Sequence, residues 1–251
     1  RGQTVAIIGE SGCGKTVLLK TMIGLVRPTH GQMLFDRHDL AQLGDKELTR
    51  QRVRFGFVFQ GAALFDSMSI GENVAFPLRE HGRASDGEIH EIVTARLAEV
   101  GLPETVARKK PAELSGGMRK RVGLARALVL DPEIMLYDEP TTGLDPIMSD
   151  VINELILRTR AQHPVTSVVV THDMQSARKI ADRILMLYPV SRLEADEPQI
   201  IFDGPPNQIE RCGDAKHLLL GLRPALLLDT FADARHRLHA VDRVETGRVQ
   251  Q

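Results

Sequence analysis

Apolar residues fall into two kinds of run along this chain. Short apolar ones are "TVAII" (Thr4 to Ile8), which is rich in β-branched residues, "FGFVF" within the stretch from Arg54, "EIMLYD" (Glu133 to Asp138) and "TSVVVT" (Thr166 to Thr171). Such runs predict strands buried on both faces. "RILMLY" and "QIIFDG" predict two late strands. Helical patterns run from Lys15 to about Leu25, near Ile147 to Arg160 and from Met174 to Ala181. From Ser69 to about Leu130 the pattern is helical throughout. Alternating strands and helices predict an α/β fold with a mostly parallel sheet covered on both faces. The helical block breaks that alternation and reads as a subdomain inserted between two halves of the sheet.

Two stretches carry glycines ahead of a helix. "GESGCGKT", Gly9 to Thr16, follows the first strand and opens the first helix. It fits G-x-x-x-x-G-K-[ST], in which the backbone curls so that its N–H groups face phosphate oxygens. Gly9, Ser11, Gly12, Cys13 and Gly14 form the cradle. Lys15 reaches the β/γ-phosphates, and Thr16 offers a hydroxyl to Mg²⁺. Cys13 reads as a spacer. A second anion site is written at "AELSGGMRKR", where Ser115, Gly116 and Gly117 precede a long helical pattern. Free N–H groups and the helix dipole favour negative charge there. The Arg119–Lys120–Arg121 run reads as a solvated helix face.

Acids and a histidine end other strands. Asp138 and Glu139 close "IMLYDEP", at the strand end where ligands of a parallel sheet collect. Asp138 can hold Mg²⁺ through water, and Glu139 can orient or deprotonate an attacking water. His172 ends "VVVTHD" one strand later. Gln60 ends "FGFVF" and can contact both Mg²⁺ and the attacking water.

In this order the motifs resemble the nucleotide-binding domains of ABC transporters over about the first 205 residues. "GESGCGKT" looks like Walker A, Gln60 the Q-loop, "LSGGM" the signature, "IMLYDEP" Walker B with its catalytic glutamate, "GLDP" with Asp145 the D-loop, and His172 the H-loop. Met118 stands where the signature usually has Gln. The resemblance implies a P-loop ATPase that binds ATP and Mg²⁺ and pairs head to tail as a homodimer. The signature of one copy then caps the γ-phosphate held by the other, so the second anion site serves a partner's ATP. Lys15, Gln60, Glu139 and His172 are the implied catalytic residues. Thr16, Gln60 and Asp138 are the implied metal contacts.

The same resemblance divides the chain into an ATPase domain, 1–205, and a C-terminal extension, 206–251. The domain has a core of 1–60 and 131–205 and an inserted helical part, 61–130. "VFQGAALFDSMSIGENVAFPLRE" and "THDMQSARKIADRILMLY" look more narrowly like ATPase subunits of Mla/Mce-type phospholipid transporters. That implies integral membrane permease partners and a peripheral place on the cytoplasmic face of the inner membrane. Residues 222–251 match no family, and "DTFADARHRLHAV" is compatible with a helix.

Composition narrows the field. The formal net charge is −1, which offers no basic field for nucleic acid. The two cysteines, Cys13 and Cys212, make no disulfide framework and fit a reducing compartment. No signal peptide precedes the first strand, and "LLLGLRPALLLD" is too short and too interrupted to span a bilayer. A soluble ABC-type ATPase acting on DNA or ribosomes is the rival class. It is disfavoured by the single ATPase domain and the lack of sustained heptads. A non-hydrolysing module is disfavoured by Glu139, and a transporter of another solute stays open. The chain starts at Arg1 and reads as a fragment without its N-terminal strands. Only eight residues precede Gly9, none aromatic, and Phe35 is the first aromatic. The family's adenine-stacking aromatic is therefore missing. Weak nucleotide binding with little preference for ATP over GTP is expected.

Overall fold

The computed structural model describes residues 1–82, 84–193 and 197–209. The extension predicted beyond residue 209, with Cys212 and the stretch 222–251, lies outside the described residues.

Six strands form one sheet: β1 (Thr4–Gly9), β4 (Phe55–Val58), β5 (Ile134–Asp138), β6 (Thr166–Thr171), β7 (Arg183–Leu187) and β8 (Ile200–Gly204), in the order β4-β5-β6-β1-β7-β8. All pairings are parallel except that of β7 with β8. Residues alternate between the two faces, as a strand period of two requires. Met135 and Tyr137 of β5 join a core with the helical block. Leu136 between them packs with Ile7, Val170 and Leu19 on the opposite side. Both faces are therefore dry, which is why these strands read as unbroken apolar runs.

Helices α1 (Lys15–Met22), α6 (Pro146–Gln162) and α7 (Met174–Ile180) belong to the sheet. The first is shorter than its pattern suggested, because Gly24 at φ 67° turns the chain away. The inserted block holds α3 (Ile70–Glu80), α4 (Asp86–Glu99) and α5 (Gly116–Leu128). Its starts are chemically fixed. Ser69 accepts from the Glu72 amide at 3.2 Å, while the Glu72 carboxylate accepts from the Ser69 amide at 2.6 Å, a reciprocal cap.

Two elements had no counterpart in the sequence reading. They are a small hairpin of β2 (Leu34–Phe35) and β3 (His38–Asp39), and the polar helix α2 (Asp45–Arg52). Arg54 fastens the hairpin to the sheet. Its guanidinium lies 4.4 Å from the Phe35 ring centroid and grips Glu133 with two bonds of 2.7 and 2.9 Å.

Ahead of α3, buried Asn73 closes the loop that carries exposed Phe65. Its Oδ1 accepts from the Phe65 amide at 2.7 Å, and its Nδ2 donates to the carbonyls of Phe65 and Ser69 at 3.1 and 3.0 Å. Asn73→Ala leaves the Phe65 amide without its acceptor, a loss of ~1–3 kcal/mol for a buried unpaired group, while the Phe65 and Ser69 carbonyls keep the amides of Met68 and Asn73 as donors. We expect urea denaturation to show a stability loss of about 2 kcal/mol, with α3 otherwise retained by circular dichroism.

Candidate functional site

Parallel strands bring their C-terminal ends to one edge, and strand order decides which ends are neighbours. β5, β6 and β1 are adjacent, with Asp138 level with Val170 and Ile8 level with Thr171. The residues just past these ends are Glu139, His172 and the Gly9–Thr16 loop.

The loop is shaped by close approach. A Cβ on Gly9 would lie 2.7 Å from both Cys13 Sγ and the Leu187 carbonyl, so no other residue fits. Gly12 and Gly14 have φ of 84° and 93°, in the left-handed region. Lys15 turns back over the loop and donates to the carbonyls of Gly9 at 2.8 Å and Glu10 at 3.0 Å. The thiol of Cys13 is buried, and burial pushes its pKa up despite Lys15 nearby. Such a thiol is unreactive, in keeping with a spacer.

Beside the loop, Thr16 Oγ1 donates to Asp138 Oδ1 at 2.8 Å. Glu139 lies next to them, almost fully buried and at φ 49°. That conformation costs a residue with a side chain about 1–3 kcal/mol. Its Oε1 is 3.9 Å from Lys15 Nζ. Its Oε2 accepts from Thr142 Oγ1 at 2.9 Å and from His172 Nδ1 at 2.7 Å. A carboxylate only accepts, so in this contact the His172 proton is on Nδ1, and the ring is exposed. Lys15, Thr16, Asp138, Glu139 and His172, predicted from three separate motifs, thus meet in two sets of contacts, Thr16 with Asp138 and Lys15 with Glu139 and His172, joined by their adjacency along the chain. Thr142 belongs to the second set as well, and sequence reasoning missed it. The only signal was its place three residues after Glu139.

The other predicted residues stand apart from those contacts. Gln60 is exposed, two residues past Val58, which pairs with Tyr137. It therefore lies on the same sheet edge as the acids. Beyond it Ala62 and Ala63 are both left-handed, at φ 62° and 47°. Arg126 of α5 holds their carbonyls at 2.7 and 2.8 Å.

Ser115 is exposed and caps α5, accepting from the Met118 amide at 3.3 Å. Gly116 and Gly117 are the first helical residues rather than a loop ahead of the helix. A Cβ on Gly117 would meet Met148 Cε at 2.5 Å. The signature turn thus lies against the start of α6, where Asp145 caps the helix by accepting from the Met148 amide at 2.9 Å.

The expected solvated face at Arg119–Arg121 is corrected. Arg119 donates to the Leu114 carbonyl at 2.7 Å, Lys120 to the Glu139 carbonyl at 3.2 Å, and Arg121 reaches the Gly101 carbonyl at 3.5 Å. α5 is wrapped by α3, α4, α6 and β4. Its basic side chains therefore run their stems over protein to reach polar caps.

A family profile described as ABC transporter matches residues 1–142. The chain belongs to the ABC transporter ATP-binding family. It is 48% identical over 187 residues to the "Probable ribonucleotide transport ATP-binding protein mkl" of Mycobacterium tuberculosis, covering 74% of this chain and 52% of that protein. It is 42% identical over 216 residues to the "Intermembrane phospholipid transport system ATP-binding protein MlaF" of Haemophilus influenzae, covering 86% and 78%. Among solved structures, the dimeric ATP-binding cassette MJ0796 in a post-hydrolysis state bound to ADP and Pi superposes with a TM-score of 0.72 and 35% identity, covering 82% of this chain and 86% of that one. The chain spans about half the length of the mycobacterial relatives, 52% of the one described. The α/β fold with its mostly parallel sheet is that of these ABC cassettes. Among the described residues no helix is long and apolar enough to cross a membrane.

Proposed function

We propose that this chain is the ATP-hydrolysing subunit of a membrane transporter that moves phospholipid. In this reading two copies pair head to tail around two ATP molecules and dock on integral permease subunits from the cytoplasmic face of the inner membrane. The observation that carries it is the Glu139 carboxylate, buried at the end of β5 within 3.9 Å of Lys15 and hydrogen-bonded by Thr142 and His172. A carboxylate so fixed beside a phosphate cradle suits general-base work on a water aimed at the γ-phosphate.

Each side chain then has a task. The amides of Gly9 to Thr16 hold the phosphates. Lys15 leaves the loop carbonyls and draws charge from the β/γ oxygens. His172, with Nε2 free, donates to the γ-phosphate once protonated. Gln60 orients the water. Ser115 and the amides of Gly116 and Gly117 close over the partner's γ-phosphate, and Asp145 supports that junction. Pre-set donors of this kind stabilise the charge of the transferring phosphoryl group.

The pairing of Thr16 with Asp138 fits Mg²⁺, since a hydroxyl and a carboxylate at 2.8 Å can each give an oxygen or hold a bound water. Among the described residues no group of three His, Cys, Asp or Glu converges, so such an ion would take its other ligands from Gln60, phosphate and water. When bound it neutralises phosphate charge. The proposed division into a 1–205 ATPase domain, with 61–130 as the permease-facing insert, follows from the same reading. Phe65 on the loop before α3 is 42% exposed and packs tilted against Phe76, with ring centroids 4.9 Å apart, an apolar surface in that insert.

Phospholipid is favoured over another cargo by the match to MlaF, which covers most of both chains. The mycobacterial relative named for ribonucleotide transport keeps a second cargo in play. Purification with the native permease, followed by mass spectrometry of what it holds, tests the choice. Bound phospholipid is the expected result. A stoichiometric ribonucleotide at the permease, with no lipid enriched, would overturn it.

A further inference from the structure

Glu139 has a second cation beneath it, supplied by a different element from Lys15. Lys120 lies in the second turn of α5 and is 9% exposed. Its ammonium donates to the backbone carbonyl of Glu139 at 3.2 Å. Burial pushes the pKa of this ammonium down, and the charge of Glu139 opposes that shift. A buried ammonium is costly even when it finds a neutral acceptor. The bond it makes is therefore an expensive second donor to a carbonyl that the Thr142 amide already reaches at 3.3 Å.

The conformation of Glu139 gives that bond a use. A glutamate at φ 49° is in a region that side chains avoid, and such a conformation persists only where neighbours over-determine it. On one side the Glu139 amide donates to the Val170 carbonyl at 2.9 Å. On the other, the Glu139 carbonyl accepts from Lys120 at 3.2 Å and from the Thr142 amide at 3.3 Å. The peptide is thus fixed from β6 and from α5 at once. From that backbone the carboxylate reaches Thr142 at 2.9 Å and His172 at 2.7 Å.

We propose that Lys120 is a positioning residue for hydrolysis: it holds the Glu139 peptide in its left-handed conformation and so keeps the carboxylate on the attacking water. The proposal rests on Glu139 being the general base. It assigns Lys120 no contact with nucleotide. Loss of the residue therefore lowers kcat and leaves ATP binding intact. Misplacing a catalytic group by about 1 Å can cost on the order of 10² in rate.

The test compares Lys120→Met, which keeps length without the donor, with Lys120→Gln, which keeps a donor without the charge. We expect Lys120→Met to lower kcat by about tenfold or more, with KM for ATP within about twofold. Lys120→Gln should recover most of that loss. Equal impairment of the two variants would overturn the proposal, as would a raised KM at unchanged kcat. A second arm uses the Glu139→Gln background. There Lys120→Met should change the residual single-turnover rate by less than about twofold, since the two residues act as a unit. Losses that multiply would overturn it. If Lys120→Met does not fold, Lys120→Ala with and without added propylammonium replaces it. Restoration by the amine supports the assignment, and indifference to the amine overturns it. The failures separate cleanly. Wild-type turnover in Glu139→Gln would remove both the general base and this proposal. A dead Glu139→Gln beside a normal Lys120→Met would remove only the latter.

Discussion

Glu139→Gln lowers ATP turnover by roughly 10²–10⁴-fold, the usual cost of losing a general base, while ATP still binds. The amide keeps the shape and can still accept from Thr142, so the pocket walls stay in place. It cannot take a proton from water. Nor does the substitution weaken phosphate binding: Lys15, 3.9 Å from Oε1, loses an anionic neighbour that competes for its charge. Nucleotide therefore stays on the enzyme unhydrolysed, and the closed pair of subunits accumulates. Phosphate release measures the rate, and sedimentation with ATP and Mg²⁺ measures the pairing. A variant that stays monomeric at saturating nucleotide, or turns over like wild type, would show that the base is elsewhere.

The chemistry of this chain was readable because it stands at strand ends. A strand buried on both faces is an unbroken apolar run, and a polar residue closing it has few places to go but the ligand edge. Asp138, Glu139 and His172 were found in that way. So was the loop after β1, whose glycines are required by a Cβ distance of 2.7 Å at Gly9. The neighbours that give Glu139 its setting were not readable. Thr142 is one of two adjacent threonines, and only the turn of the chain decides that its hydroxyl reaches Oε2. Lys120 looked like part of a solvated run because a sequence does not show how far a helix is wrapped. α5 has Val122, Gly123, Leu124 and Ala125 all buried in succession, so no broad face was left for water.

The hairpin of β2 and β3 and the helix α2 escaped for a different reason. Each strand of the hairpin has two residues, too few to show a period. In α2 only Leu48 is buried, so no apolar stripe marks the helix. Their attachment depends on Arg54, which reaches Glu133 from 79 positions away, a pairing no local pattern reports.

Subunits carrying Lys15→Ala and subunits carrying Ser115→Arg are each expected to be inactive alone and to regain hydrolysis when mixed. Within one chain the Ser115 side chain caps its own helix, accepting from the Met118 amide at 3.3 Å. None of its hydrogen bonds reaches Lys15, Thr16 or Glu139. Its side chain is exposed, at the N-terminus of a 13-residue helix whose first amides are free to meet an anion. An exposed anion site with no anion from its own chain points to a ligand brought by a partner. In the mixture, heterodimers collect both defects in one site: the Walker A of the Lys15→Ala subunit faces the altered signature. The opposite site pairs an intact Lys15 with an intact Ser115 and hydrolyses ATP. If the signature served its own chain, every site would keep one defect and mixing would restore nothing. Loss of the Ser115 cap costs about 1 kcal/mol of helix stability, too little to unfold the domain. Nucleotide binding at each site, followed with a fluorescent ATP analogue, separates a blocked signature from an empty Walker A. Recovery of turnover on mixing, with one nucleotide bound per heterodimer, is the expected result. No turnover on mixing, with nucleotide still held at the intact Lys15 of the Ser115→Arg subunit, would place the signature in its own chain's site.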